Sequence, residues 1–263
     1  MEARDPEIGR VAVIMPTYNE RDNVEAMTAR LRAAVPTAEL LIVDDNSPDG
    51  TGEIADKLAA EDSAVHVLHR AGKNGLGTAY LAGFAWALEQ GFGAVVEMDA
   101  DGSHRPEELP SLLSALAGAD LVLGSRWIPG GSVHNWPKTR LALSRGANIY
   151  ARIMLGVGIR DITGGFRAFR AATLRAIGLA DVQSQGYCFQ IDLAQRTVRA
   201  GLTVVEVPIT FADRVHGQSK MSRAVMAEAF GRVALWGAAR IVRPGAGRSQ
   251  KLARGGMTPP RAS

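Results

Sequence analysis

The sequence predicts an α/β protein: a mainly parallel sheet with helices on both faces. Short apolar runs of strand length alternate with stretches of helical spacing, and the runs read as strands buried on both sides. The chain has 263 residues, 46% of them hydrophobic and 22% charged, which is enough to bury a substantial core.

The first strand is VAVIM (11–15), followed by helical spacing at Val24, Met27, Leu31 and Val35. ELLIVD (39–44) is the second strand, and Thr51, with Ile54 three positions on, starts the next helix. AVHVL (64–68) precedes a helix carrying Tyr80, Leu81, Phe84 and Leu88. GAVVEM (93–98) is the fourth strand, Pro106 with Glu107 and Glu108 a helix start, and ADLVLG (119–124) the fifth strand. The rhythm then changes to a Gly/Pro/Trp-rich loop (126–137), a helix from about Arg140 to Leu155, the segment DITGGFRAFR (161–170), a strand LTVVEVPITF (202–211) and the polar loop DRVHGQSK. From Met221 to Val242 the pattern is an amphipathic helix, with Val225, Met226, Phe230, Val233 and Trp236 on one side and charged residues interspersed. The expected organisation is an N-terminal extension (1–9), one catalytic domain (10–220), an amphipathic interface helix (221–243) and a disordered basic tail (244–263).

A single cysteine, Cys188, excludes an internal disulfide framework and a four-cysteine zinc site, and packs more naturally as a small core residue than as a nucleophile. The net charge of +3 hides an asymmetry: residues 213–263 carry +8, leaving −5 for the rest. Such a basic stretch is either a solvated tail or a segment that meets an anionic membrane surface. Nucleic acid is not an expected partner, because the stretch lacks the interleaved aromatics of a stacking surface. No run reaches the roughly 20 apolar residues of a spanning helix, and the N-terminal MEARDPEIGR is charged where a signal peptide would be apolar. A cytoplasmic protein, peripheral on the cytoplasmic face of the membrane, is expected.

In open parallel sheets ligands sit beyond the carboxyl ends of the strands. Here those ends are acidic: Pro16-Thr17-Tyr18-Asn19-Glu20, Asp44-Asp45-Asn46-Ser47 and Asp99-Ala100-Asp101. PTYNE lacks the dinucleotide-binding glycines, and GKNGLGT (72–78) lacks the phosphate-loop spacing. Asp99 and Asp101 flank one residue, a spacing that lets both carboxylates face a hard cation while it holds a diphosphate. Taken singly, each residue has a plainer reading: Pro16 as a strand terminator, Tyr18 as a rim aromatic, Glu20 as a helix-start acid, Asp45 as a turn cap, the Asp pair as a solvated turn. The five histidines lack ligand spacing, and Trp127 and Trp136 suit loop packing.

Taken in order, PTYNE, IVDDNSPDGT, GLGTAY, MDADGSHRPEELP, GSRW, SRGAN, GGFRAFR and DRVHGQSK resemble the inverting family 2 glycosyltransferases over about residues 10–222. Within that family the combination is similar to the polyprenol-phosphate (dolichol-phosphate) mannosyltransferases, and it lacks the Q-x-x-R-W of the processive polysaccharide synthases. The resemblance implies a Rossmann-like sheet of the glycosyltransferase A type and a metal-dependent, inverting transfer of mannose from GDP-mannose to a polyprenyl phosphate. It places Pro16, Tyr18, Glu20, Val43 and Asp45 around the base and ribose, and Asp99, Ala100 and Asp101 beside diphosphate and metal, Mg²⁺ or Mn²⁺. Arg126, Arg140 and Ser144 match the acceptor-phosphate positions, with Arg126 also on the donor side, and Arg214 and Lys220 match a loop closing over the donor phosphates. Asp101, Arg126 and Arg140 are the expected catalytic set. Where the family often has Leu-Gln after D-A-D, this chain has Gly102-Ser103, so Ser103 stands where a third metal ligand would.

The chemistry agrees with such roles. A phosphomonoester with a second pKa near 6 is already largely dianionic at neutral pH, so transfer to it needs no strong general base. What the site must supply is cations that hold two anions at attack distance and stabilise the departing diphosphate. UDP-glucose as donor, a non-enzymatic nucleotide-sugar sensor, a membrane-protein partner and a homo-oligomer all stay open at this point.

Overall fold

A computed structural model of the chain describes residues 7–180, 182, 187–213 and 230–238. In chain order the elements are β1 (Val11–Thr17), α1 (Arg21–Ala34), β2 (Glu39–Asp44), α2 (Thr51–Glu61), β3 (Val65–His69), α3 (Leu76–Glu89), β4 (Ala94–Glu97), a 3₁₀ turn (Pro106–Glu108) running into α4 (Leu109–Leu116), β5 (Leu121–Ser125), β6 (Ser132–Val133), α5 (Lys138–Leu155), β7 (Arg167–Arg170), α6 (Ala171–Ala176), α7 (Tyr187–Arg199), β8 (Val204–Pro208) and β9 (Thr210–Phe211). Residues 230–238 are helical.

Seven strands form one sheet in the order β3-β2-β1-β4-β7-β5-β8, and β6 pairs with β9 in a small second sheet. β1 to β4 are parallel to one another, as are β5 and β8. β7 is the exception, running antiparallel between β4 and β5. The expected mainly parallel sheet with helices on both faces is therefore present, with one reversed strand inserted. The expected strand at 202–211 is broken into β8 and β9.

Successive strand residues point to opposite faces, and both faces are covered. Ala12 and Ile14 of β1 and Leu41 and Val43 of β2 enter one core with Tyr80 and Phe84 of α3, Leu155 of α5 and Phe189 of α7. Val11, Val13, Met15, Leu40 and Ile42 enter the other, with Val24, Met27 and Leu31 of α1 and Leu109, Leu112 and Leu116 of α4. At Gly83 a Cβ would stand 2.3 Å from Ile14 Cγ2, so α3 crosses β1 at a distance only glycine allows. Gly156, at φ 63°, ends α5 in the left-handed conformation.

The described part of the C-terminal helix lies on α5. Val233 is buried in the first core and Trp236 packs against it, Gly237 sits against Met154, and the Tyr150 hydroxyl donates to the Phe230 carbonyl at 3.1 Å. Val233 and Trp236, on the apolar side of the expected amphipathic helix, cover apolar surface left open by α5. Residues 221–229 and 239–243 of that expected interface helix, and the tail 244–263, lie outside the described residues.

Candidate active site

β1 sits where the connections change direction, the point at which an open sheet leaves a crevice beyond its strand ends. The crevice is built first by turns. Asn19 and Asn46 both take φ 57°, a conformation asparagine tolerates better than most residues. Asp44, not Asp45, caps the second turn: its carboxylate accepts from the Ser47 amide (3.0 Å), the Ser47 hydroxyl (2.6 Å) and the Thr17 hydroxyl (2.9 Å), tying β1 to β2. The Glu20 amide donates to Thr51 Oγ1, and Glu20 Oε2 accepts from Asn23.

That arrangement leaves Asp45 for the crevice. It is nearly buried and paired with Arg70 at 2.7 Å, while Arg70 also donates to Thr78 Oγ1. Burial pushes the Asp45 carboxyl up, and the Arg70 charge opposes this without cancelling it. Lys73 Nζ lies 4.2 Å from the centre of the Tyr18 ring. Tyr18, Asp45, Arg70 and Lys73 thus form one polar and aromatic corner. Arg70 and Lys73 were not singled out in the sequence, although GKNGLGT drew attention by its glycines. Val43, expected beside the nucleotide, has no exposed surface: strand parity turns its side chain into the core, so only its backbone is within reach of a ligand. Pro16 is half-buried at the end of β1.

After β4 come Asp99, Ala100 and Asp101. Tyr80 donates its hydroxyl to Asp99 Oδ1 at 2.9 Å, and burial, with Asp99 beside it, holds the phenol far above its ordinary pKa, so it remains a donor. The Asp99 amide donates to His104 Nδ1 at 3.0 Å, and the buried imidazole stacks on Phe166. Asp101 is 5% exposed and accepts from the Ser103 amide, a turn that Gly102 permits at φ 77°. Behind them Glu97 is fully buried 3.9 Å from Arg167; burial pushes its carboxyl up to about 8 against the arginine's charge.

Two features test the fit of a divalent cation here. The Ser103 hydroxyl is buried without a hydrogen-bond partner. At Gly165 a Cβ would come within 3.7 Å of Asp99 Oδ2, so glycine keeps that oxygen's flank open. Among the described residues no cluster of three His, Cys, Asp or Glu could hold a metal. Two carboxylates with a hydroxyl nearby nevertheless suit a hard cation that takes its remaining ligands from water and substrate phosphate.

The third group surrounds α5. Arg126 is almost wholly buried, and its fork is held by Asp161: Nε donates to Oδ2 (2.7 Å), Nη2 to Oδ1 (2.6 Å), and the Arg126 amide also to Oδ2 (2.8 Å). Arg126, expected at the acceptor phosphate, has its charge balanced by a fully buried carboxylate whose own amide is fixed by Glu206. From Arg126 a relay leads to α5, through Thr163 Oγ1 (3.1 Å) to Asn148 Nδ2 (3.0 Å), which also donates to the Ser144 carbonyl. Arg140, one turn before Ser144, lies 3.9 Å from the centre of the Trp136 ring and pairs with Asp213 at 2.9 Å. Asp161 was visible only as part of DITGGFRAFR, with nothing to mark its partner. Arg214 and Lys220 lie outside the described residues.

With the geometry in place, comparison with known proteins is informative. The glycosyl transferase family 2 model matches residues 12–178. An undecaprenyl-phosphate mannosyltransferase of Micrococcus luteus is 56% identical over 230 residues, covering 88% of this chain and 95% of the relative. A polyprenol monophosphomannose synthase of Mycolicibacterium smegmatis is 57% identical over 230 residues, 87% of each. Among solved structures, a glucosyl-3-phosphoglycerate synthase of Mycobacterium tuberculosis with Mn²⁺, UDP and glucosyl-3-phosphoglycerate has a TM-score of 0.62 at 21% identity, covering 90% of this chain and 82% of that one. A mannosyltransferase of Pyrobaculum calidifontis with GDP-mannose and Mn²⁺ has a TM-score of 0.58 at 19% identity, covering 92% and 67%. These structural likenesses establish the shared fold.

Proposed function

The chain belongs to glycosyl transferase family 2, and from that premise we propose that it transfers mannose from GDP-mannose to a polyprenyl phosphate with inversion, releasing GDP and giving the β-linked polyprenyl-phosphate mannose. The observation that carries the reading is the gathering of three unlike groups at the strand ends: the Tyr18–Asp45 corner, the Asp99/Asp101 pair and the cationic wall of α5.

Asp99 and Asp101, with the Ser103 hydroxyl beside them, would hold a divalent cation, Mg²⁺ or Mn²⁺, which when bound neutralises the departing diphosphate. Tyr80 and His104 fix the first carboxylate and its backbone. Tyr18 and Asp45, the latter steadied by Arg70, receive the nucleoside, with Pro16 and Glu20 shaping the turn. Arg140, with Ser144 one turn on, receives the acceptor phosphate, whose oxygen attacks the anomeric carbon as the bond to the diphosphate oxygen breaks. Arg126 positions: its buried pair with Asp161 and the relay to Asn148 set where α5 presents Ser144. The resemblance assigns Arg214 and Lys220, outside the described residues, to the donor phosphates. No described helix is long and apolar enough to cross a membrane; the acceptor is a lipid, and the enzyme works peripherally at the cytoplasmic face.

Purified protein with divalent metal, a short polyprenyl phosphate and a panel of labelled nucleotide sugars tests the reading. Labelled lipid is expected with GDP-mannose alone, and Asp101→Ala should abolish it while circular dichroism stays unchanged. Transfer from UDP-glucose instead, or donor binding without transfer, would overturn it.

A further inference from the structure

Beside the acceptor wall, and sharing Asn148 with it, lies a groove of about 300 Å³ lined by Trp127, Arg145, Asn148, Ile149, Arg152 and Arg160. Its charge is one-sided. Among the described residues no carboxylate pairs with Arg145, Arg152 or Arg160; Arg145 lies 4.9 Å from the centre of the Trp127 ring, and the Arg160 amide is anchored by Glu206. This contrasts with Arg126 and Arg140, each of which is paired with an aspartate. Around the cations the helix exposes apolar side chains: Ile149 is 50% and Ile153 67% exposed. Residues 145, 149 and 152 fall on one helical face by their spacing, with 153 beside them.

Three arginines without a counter-ion among the described residues, flanking exposed isoleucines, are the chemistry of a surface that meets phosphate esters at the edge of an apolar phase. Arginine forks bind phosphate oxygens, while neighbouring aliphatic side chains enter the acyl boundary. We infer that this groove docks the phosphodiester headgroup of an anionic membrane phospholipid, a lipid site beside that of the acceptor phosphate. The inference deepens the reading above by naming the surface that meets the membrane, and it rests on that reading.

The test is read without donor, acceptor or turnover, so its failure is distinct from a failure of the transfer reaction. Full-length protein and Arg152→Ala/Arg160→Ala are sedimented with vesicles of phosphatidylcholine, of phosphatidylcholine with phosphatidylglycerol, and of phosphatidylcholine with a few per cent polyprenyl phosphate. Binding is expected with phosphatidylglycerol and not with phosphatidylcholine alone, and it should weaken in high salt. Each basic residue near an anionic leaflet is worth about fivefold in partitioning, so the double variant should bind roughly thirtyfold more weakly. Its turnover on a water-soluble short-chain acceptor should be unchanged. Should that variant not fold, quenching by brominated phosphatidylglycerol gives the same answer: the wild type should show a quenched component that Trp127→Phe lacks. Equal binding of wild type and double variant overturns the inference, as does absence of the Trp127 component. Binding that requires polyprenyl phosphate, or a raised acceptor KM in the double variant, would make the groove part of the acceptor site and likewise overturn it.

Discussion

Replacing Asp161 by Asn removes the charge that balances Arg126 while keeping nearly the same volume. Asp161 is fully buried and accepts from the Arg126 amide, Nε and Nη2, with the Thr163 hydroxyl at 3.4 Å. The amide of an Asn retains one acceptor oxygen and turns an NH₂ toward a guanidinium that has only donors. Arg126, 6% exposed, is then a buried cation without its counter-ion. Breaking a buried pair from one side costs about 3–5 kcal/mol, against a total stability of about 5–15 kcal/mol. For a chain of this size that is a fall in Tm of roughly 6–20 °C. Urea unfolding at constant m measures the loss directly. Arg126→Met combined with Asp161→Leu removes both charges and should recover much of the stability without recovering transfer. A loss below about 1 kcal/mol at unchanged m would show that water or another group balances Arg126, and the assignment of Asp161 as its essential partner would fall.

Arg140→Ala should raise the KM for polyprenyl phosphate far more than that for the nucleotide sugar, with kcat/KM down about ten- to a hundredfold, since a charge-assisted hydrogen bond is worth roughly 1.5–3 kcal/mol; initial rates with each substrate varied in turn check this, and equal effects on both refute the acceptor role. Gly83→Ala drives a methyl group into Ile14 and should cost about 1–3 kcal/mol in urea unfolding, with no change in m. Glu97 holds its proton in the folded protein up to about pH 8 but ionises near 4.5 once unfolded. The folded state therefore binds the extra proton, and this contribution to stability is complete below the unfolded value and lost as pH rises toward 8. Glu97→Gln should flatten the pH dependence of the urea midpoint between about pH 5 and 8; an unchanged slope would place its origin elsewhere.

What could be read from the sequence follows the physics of each segment. β1, β2 and β4 declare themselves because strands buried on both faces must be apolar throughout, and their polar ends mark the crevice. β7 does not: it has four residues, two of them arginines, and owes its place to neighbours on either side rather than to its own pattern. α7 hides for a related reason, since Gln190, Asp192 and Gln195 are buried among its apolar residues and blur the helical period. At the site, residue types at strand ends were legible, but partners were not. Nothing local shows that Asp44 caps the turn and frees Asp45, or that Arg126 is matched by a carboxylate 35 positions away. Val43 is a lesson in parity, because its neighbour Asp44 faces the turn and Val43 must therefore face the core.

The reversed strand β7 also bears on how the chain assembles during synthesis. β4 ends at Glu97 and β5 at Ser125, yet the strand that joins them is Arg167–Arg170, about 45 residues later. At the usual pace of about 5–20 residues per second, the ribosome needs roughly 2–9 s to deliver it. Through that interval β3-β2-β1-β4 can close on α1, α2 and α3, but the outer edge of β4 presents unpaired backbone groups beside the emerging β5. Direct pairing of β4 with β5 would shut β7 out of the sheet and carry Gly165 and the Asp161 loop away from Asp99 and Arg126. Four residues must then enter between two strands made well before them, and only after that do Asp161 and Arg126 meet across the finished sheet.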